Sequence, residues 1–160
     1  MAHLLITGGT GFIGQRLCKL ALAAGHRISV FSRRPAQQVT RICGADVAVI
    51  NDLHQIPHLP AIDAVINLAG EPIMEGRWST ARKQILRNSR IGFTRHLLDT
   101  LDTCSSRPRA LINGSAIGYY GDRGDESLTE ASPPGSGFRA DVGRQWEAAV
   151  EPARQAGIRT

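Results

Sequence analysis

The chain has 160 residues, a formal net charge of +5 and a pI near 9.7, with 42% hydrophobic and 21% charged residues. That length suits one domain over residues 1–160, and the balance excludes a disordered or collagen-like chain. All but two of the 19 basic residues are arginine, scattered with no run longer than Arg33-Arg34, and no nucleic-acid-binding motif accompanies them, so no nucleic-acid partner is expected.

Three widely spaced cysteines, Cys18, Cys43 and Cys104, form neither a disulfide framework nor a C-x-x-C metal pattern. No apolar run reaches the about 18 residues a membrane span needs, and the start has no basic signal-peptide region. The expected setting is the cytoplasm, with no membrane partner.

In chain order, His3 to Thr7 reads as a strand that ends in a glycine cluster. A helical stripe of Phe12, Ile13, Leu17, Leu20 and Ala21 follows and stops at Gly25. Arg27 to Phe31 predicts the second strand, and Pro35 to Cys43 a short helix with proline in its first turn. Asp46 to Ile50 and Ala64 to Leu68 predict the third and fourth strands. One long helix is expected from Ser79 to Asp102, with Ile85, Leu86, Phe93, Leu97, Leu98 and Leu101 facing inward. Ala110 to Asn113 is the fifth strand, Gly121 to Pro134 a polar loop, and Phe138 to Ala156 a helix that Pro152 must kink or split.

Alternating strands and helices imply an α/β fold, a doubly wound parallel sheet in the order 3-2-1-4-5. Ile158 to Thr160 reads as the opening of a sixth strand. Such an ending leaves one flank of the fifth strand uncovered. The sequence therefore predicts the N-terminal part of a larger protein, with self-association through the open sheet edge.

The most informative motif is Thr7-Gly8-Gly9-Thr10-Gly11-Phe12-Ile13-Gly14, between the first strand and the first helix. Gly8 permits the tight turn, Gly11 lets a pyrophosphate approach the backbone, and Gly14 lets helix and sheet pack closely. The free amides and positive dipole end of the helix then face the anion. A site for NAD normally has an acid at the end of the second strand for the ribose 2′-hydroxyl. Here Ser32-Arg33-Arg34 stands there, and no acid occurs before Asp46. A guanidinium can hold a 2′-phosphate through paired charge-assisted hydrogen bonds. NADP(H) is therefore expected, with Arg33 as the main contact and Ser32 assisting.

Beyond this turn, the chain contains Asn67-Leu68-Ala69-Gly70-Glu71-Pro72-Ile73, Arg77-Trp78, Ser89-Arg90-Ile91, Ser115-Ala116-Ile117-Gly118-Tyr119-Tyr120-Gly121 and Trp146-Glu147. In these motifs it resembles the extended short-chain dehydrogenase/reductases, the NAD(P)-dependent epimerase/dehydratase group with its Rossmann fold, and within them the atypical YfcH-like epimerase family proteins. The resemblance implies that Leu68 and Ala69 line the adenosine side of the cofactor. It also implies that Arg90 touches the cofactor, and that a second half, absent from this chain, builds much of the substrate pocket.

The parent group's catalytic Tyr-x-x-x-Lys pair is missing. The resemblance puts Phe138 and Val142 at those positions, and neither has a proton to exchange. It puts Ala116 at the active-site serine, with Ser115 adjacent. Ser115 and Tyr120 remain as catalytic candidates, and both tyrosines are expected near the nicotinamide end. His54 and His58 are separated by Pro57 with no further ligand, so no metal is assigned. Three readings stay open: an NADP(H)-dependent epimerase or oxidoreductase acting on an unknown small molecule, an NADP(H)-binding redox sensor or partner-binding module without turnover, and a truncated fragment with little activity.

Overall fold

A computed structural model describes all residues 1–160. The elements are β1 (His3–Thr7), α1 (Phe12–Ala23), β2 (Arg27–Phe31), α2 (Ala36–Cys43), β3 (Ala48–Ile50), β4 (Ala64–Asn67), α3 (Thr80–Arg87), α4 (Phe93–Leu101), β5 (Ala110–Asn113), α5 (Phe138–Ala148) and α6 (Glu151–Gln155). All strand pairs are parallel, in the order β3-β2-β1-β4-β5. This is the doubly wound Rossmann arrangement expected.

The period-two alternation of strands divides the core between two faces. Leu5, Val65 and Leu111 pack with Leu97, Leu98 and Leu101 of α4 and with Val150, Ala153 and Ile158. Ile6, Ile28, Val30 and Ile66 point the other way, against Cys18 and Ala21 of α1 and Val39 and Cys43 of α2. Covering both faces explains why these strands read as nearly unbroken apolar runs. The second cover is incomplete: Ile112 on β5 is 57% exposed, and Phe12, Ile13 and Leu20 on α1 are also open to solvent.

Several boundaries differ from expectation. The helix predicted from Ser79 to Asp102 is two helices joined through a wide turn at Asn88–Gly92 with i→i+5 bonding. Such a turn shifts the phase of the inward stripe. Ile85, expected inside, is half exposed, while Leu86 and Ile91 are buried. The last predicted helix breaks after Ala148, and α6 restarts with Pro152 in its first turn, where a missing N–H costs nothing. β3 starts at Ala48 because a turn closed by Val47 N–H on the Gly44 carbonyl takes up the preceding residues. Short 3₁₀ turns at Leu53–His58 and Ile117–Tyr120 carry no apolar periodicity and were not anticipated. Arg159 makes one parallel bridge to Ala110, beside β5.

Candidate nucleotide-binding site

β1 ends on Thr7 and turns sharply at Gly8, which has φ +68°. A Cβ there would lie 2.5 Å from the Leu68 carbonyl oxygen, so only glycine lets β1 and β4 deliver both loops to one point. A Cβ on Gly14 would collide with the backbone of Gly8 and Gly9. Gly11 is the N-cap of α1; no side chain caps this helix and its first turn has no acid. The unpaired amides and the positive helix end therefore stay available to an anion. Beneath the turn, the Cys43 thiol donates to the Gly9 carbonyl at 3.3 Å. Burial pushes the neighbouring Cys18 thiol up to about 12, so it stays protonated.

Two clefts open on either side of the turn and share Gly8, Gly11 and Leu68. The first, about 260 Å³, is lined by Gly8, Thr10, Gly11, Phe31, Ser32, Arg33, Arg34, Leu68, Ala69, Gly70 and Pro72. It brings the glycine turn, the Ser32-Arg33-Arg34 segment and the Leu68-Ala69 segment together. Ser32 is buried and its hydroxyl accepts from the Arg34 amide at 3.1 Å, which fixes the turn after β2. The Arg33 side chain is 86% exposed, with Nη2 3.5 Å from Glu71 Oε2.

Glu71 also accepts from Arg82 at 3.2 Å. Hydrogen bonding from Arg82, with a smaller contribution from Arg33, holds its carboxyl below the usual range despite an opposing effect of burial. Arg90, displayed by the wide turn, lines neither cleft. Its guanidinium backs Gly70, where a Cβ would come within 3.0 Å of Cζ, and lies 5.4 Å from the Trp146 ring. Burial lowers its pKa, with Glu71 opposing.

The second cleft, about 450 Å³, is lined by Gly8, Gly11, Phe12, Ile13, Gly14, Leu68, Gly114, Ser115 and Trp146. Under it runs a buried polar network that sequence reasoning missed. Thr7 Oγ1 donates to Asn67 Oδ1 at 2.6 Å, and Asn67 Nδ2 donates to Thr94 Oγ1 at 2.8 Å and to Asn113 Oδ1 at 2.7 Å. Trp146 Nε1 donates to the same Thr94 hydroxyl at 3.1 Å. Thr7, Asn67 and Asn113 are the last residues of three adjacent strands and are in register with one another. A polar residue closing each apolar run was the available signal.

Ser115 donates to Glu147 on α5. Tyr119 packs on Gly143 and stacks edge-on with Tyr120, and neither tyrosine lines the cleft. Phe138 starts α5 edge-on to Trp78, with Lys83 Nζ 5.5 Å and Arg87 Cζ 5.4 Å from its ring centre. Val142 is buried. No group of three or more metal-ligating side chains occurs.

The profile of the NAD dependent epimerase/dehydratase family matches residues 4–140. The chain belongs to this family. It is 37% identical over 160 residues to "Epimerase family protein Mb2239" of Mycobacterium bovis, covering 99% of this chain and 51% of that protein. Among solved structures it is similar to one described as human epimerase family protein SDR39U1 (isoform2) with NADPH. The TM-score is 0.76 and the identity 31%, over 92% of this chain and 48% of that one. It is also similar to a nucleoside-diphosphate sugar epimerase from Corynebacterium glutamicum, with TM-score 0.77 and 30% identity over 98% of this chain and 32% of that one. The chain thus spans about half the length of the curated family relatives it matches. No helix is long and apolar enough to cross a membrane.

Proposed function

We propose that this chain is an NADP(H)-binding domain of an epimerase- or oxidoreductase-type family member. The observation that carries this is the placement of Ser32, Arg33 and Arg34 in the cleft that also holds the glycine turn, with no carboxylate contributed by the end of β2. The solved human relative with NADPH, 31% identical, supports it. In this reading the free amides of Phe12 to Gly14 face the pyrophosphate, Gly11 lets it approach, and Thr10, Phe12 and Ile13 border it. Leu68 and Ala69 bound the adenosine, Arg33 holds the 2′-phosphate, and Ser32 keeps the loop in shape. Arg90 supports the wall at Gly70.

NADPH, when bound, supplies a hydride. Phe138 and Val142 can neither give nor take a proton, and of the two catalytic candidates Ser115 lines the second cleft while Tyr120 does not. That deficit favours a second reading, cofactor binding without turnover as a sensor or partner-binding module. The three free thiols support a reducing, cytoplasmic setting.

The test is calorimetric titration of the wild type and Arg33→Glu with NADPH and NADH. The expected result is a wild-type preference for NADPH that falls by about tenfold or more in the variant, through loss of a charge-assisted contact. Unchanged NADPH affinity in the variant overturns the assignment. NADPH at 100 times its Kd should stabilise the chain by roughly 2.7 kcal/mol. Stabilisation without substrate-dependent oxidation selects the second reading.

A further inference from the structure

Ser115 lines the cleft on the far side of the glycine turn from Arg33, and its hydroxyl donates to Glu147, an exposed residue of α5 that is not itself on the lining. With the 2′-phosphate held at Arg33 and the pyrophosphate at the turn, the other end of the dinucleotide falls into this second cleft. Its lining is otherwise apolar side chains and backbone: Phe12, Ile13, Leu68 and Trp146 offer no free polar group, and the indole N–H is already committed to Thr94. The only hydroxyl on the lining is that of Ser115.

We propose that Ser115 and Glu147 together anchor the carboxamide of the nicotinamide ring, an inference that rests on the NADP(H) reading above. A primary carboxamide presents one carbonyl acceptor beside an amino donor. The pair presents the complement, a hydroxyl beside a carboxylate oxygen. On binding, the Ser115 hydroxyl rotates from Glu147 to donate to the carbonyl, and the released Glu147 oxygen accepts from the amino group. No proton changes owner.

Glu147 has no basic group within ion-pair distance, so its carboxylate is free for this exchange. Its position is fixed through the preceding residue. The Trp146 ring is held by Thr94 and fits against Gly114, where a Cβ would come within 2.8 Å of the indole. Glu147 is thereby set beside the end of β5, and the N–H to carboxylate bond it would accept belongs to the stronger, charge-assisted kind.

The test compares Kd values of wild type, Ser115→Ala and Glu147→Ala for three ligands by calorimetry. These are NADP⁺, its 3-acetylpyridine analogue, in which a methyl replaces the amino group, and adenosine 2′,5′-bisphosphate, which lacks the nicotinamide half. The wild type should bind NADP⁺ about three- to tenfold more tightly than the acetylpyridine analogue. Each variant should weaken NADP⁺ by a similar factor, and Glu147→Ala should erase the preference for carboxamide. The bisphosphate should bind all three proteins equally, which also reports that the variants are folded. Unchanged NADP⁺ affinity, a carboxamide preference that survives Glu147→Ala, or equal weakening of NADP⁺ and the bisphosphate each overturns the anchor. If the wild type binds neither NADP⁺ nor the bisphosphate, the cofactor reading fails first and the anchor with it.

Discussion

The two clefts share one glycine turn but are supported differently. The cleft at the end of β2 owes its charge to Arg33 and Arg34, long side chains on a surface loop, and Arg33 is almost wholly exposed and held only by a 3.5 Å ion pair. The cleft at the end of β5 rests on amides and hydroxyls inside the sheet, where Asn67 is fully buried and has three side-chain partners. Exposed ion pairs contribute little to stability, whereas a buried donor left unpaired costs its full desolvation. Ligand choice and fold stability should therefore be separable at Arg33 and inseparable at Asn67.

The most damaging substitution removes what the clefts have in common. Gly14→Val drives a side chain into the backbone of Gly8 and Gly9. Denaturant unfolding should show a loss of about 3 kcal/mol or more, and NADPH binding should vanish. Asn67→Ala comes next, at about 2–3 kcal/mol, since it takes away the acceptor for Thr7 and the amide donor to Thr94 and Asn113, leaving Thr94 only its bond from Trp146. Arg33→Ala should break the symmetry between the clefts most cleanly. Stability should stay within about 0.5 kcal/mol of wild type, while NADPH affinity falls about tenfold and NADH affinity holds. A comparable stability loss in Arg33→Ala and Asn67→Ala would erase the distinction drawn between the two sides.

The same division governs what was legible in the sequence. The strand order and the glycine turn could be read because each depends on local pattern: short apolar runs, glycines at fixed spacing and one helical stripe. Ser32 and Arg33 could be singled out from their place at the end of β2, and Leu68 and Ala69 only through the family resemblance; the four line one cleft because strand ends in a doubly wound sheet converge by topology. The network of Thr7, Asn67, Thr94, Asn113 and Trp146 was not read, since its members are up to 139 positions apart and only strand register unites them. The wide turn at Asn88–Gly92 escaped for a different reason. Its residues have ordinary helical preference, and the extra residue is absorbed through packing that takes Ser89 to the Glu71 amide.

Glu71 gives the smallest and sharpest test, because it joins the β2 loop to the helical side by accepting from both Arg33 and Arg82. Its carboxyl titrates below the usual value of 4.5, chiefly through the Arg82 hydrogen bond. A carboxyl with a depressed folded-state pKa adds stability that is complete above its unfolded pKa and is lost as pH falls through the folded one. The wild type should therefore exceed Glu71→Gln by less than about 1 kcal/mol at pH 7, a bound set by the partial exposure of these ion pairs. The gap should begin to close below pH 4.5, and urea titrations at pH 7, 5 and 3.5 measure it. If the contacts of Glu71 acted only as neutral hydrogen bonds, glutamine would replace it at every pH and the two curves would run parallel. Convergence in acid would instead show that ionic attraction, and not loop packing, ties the β2 end of the site to α3.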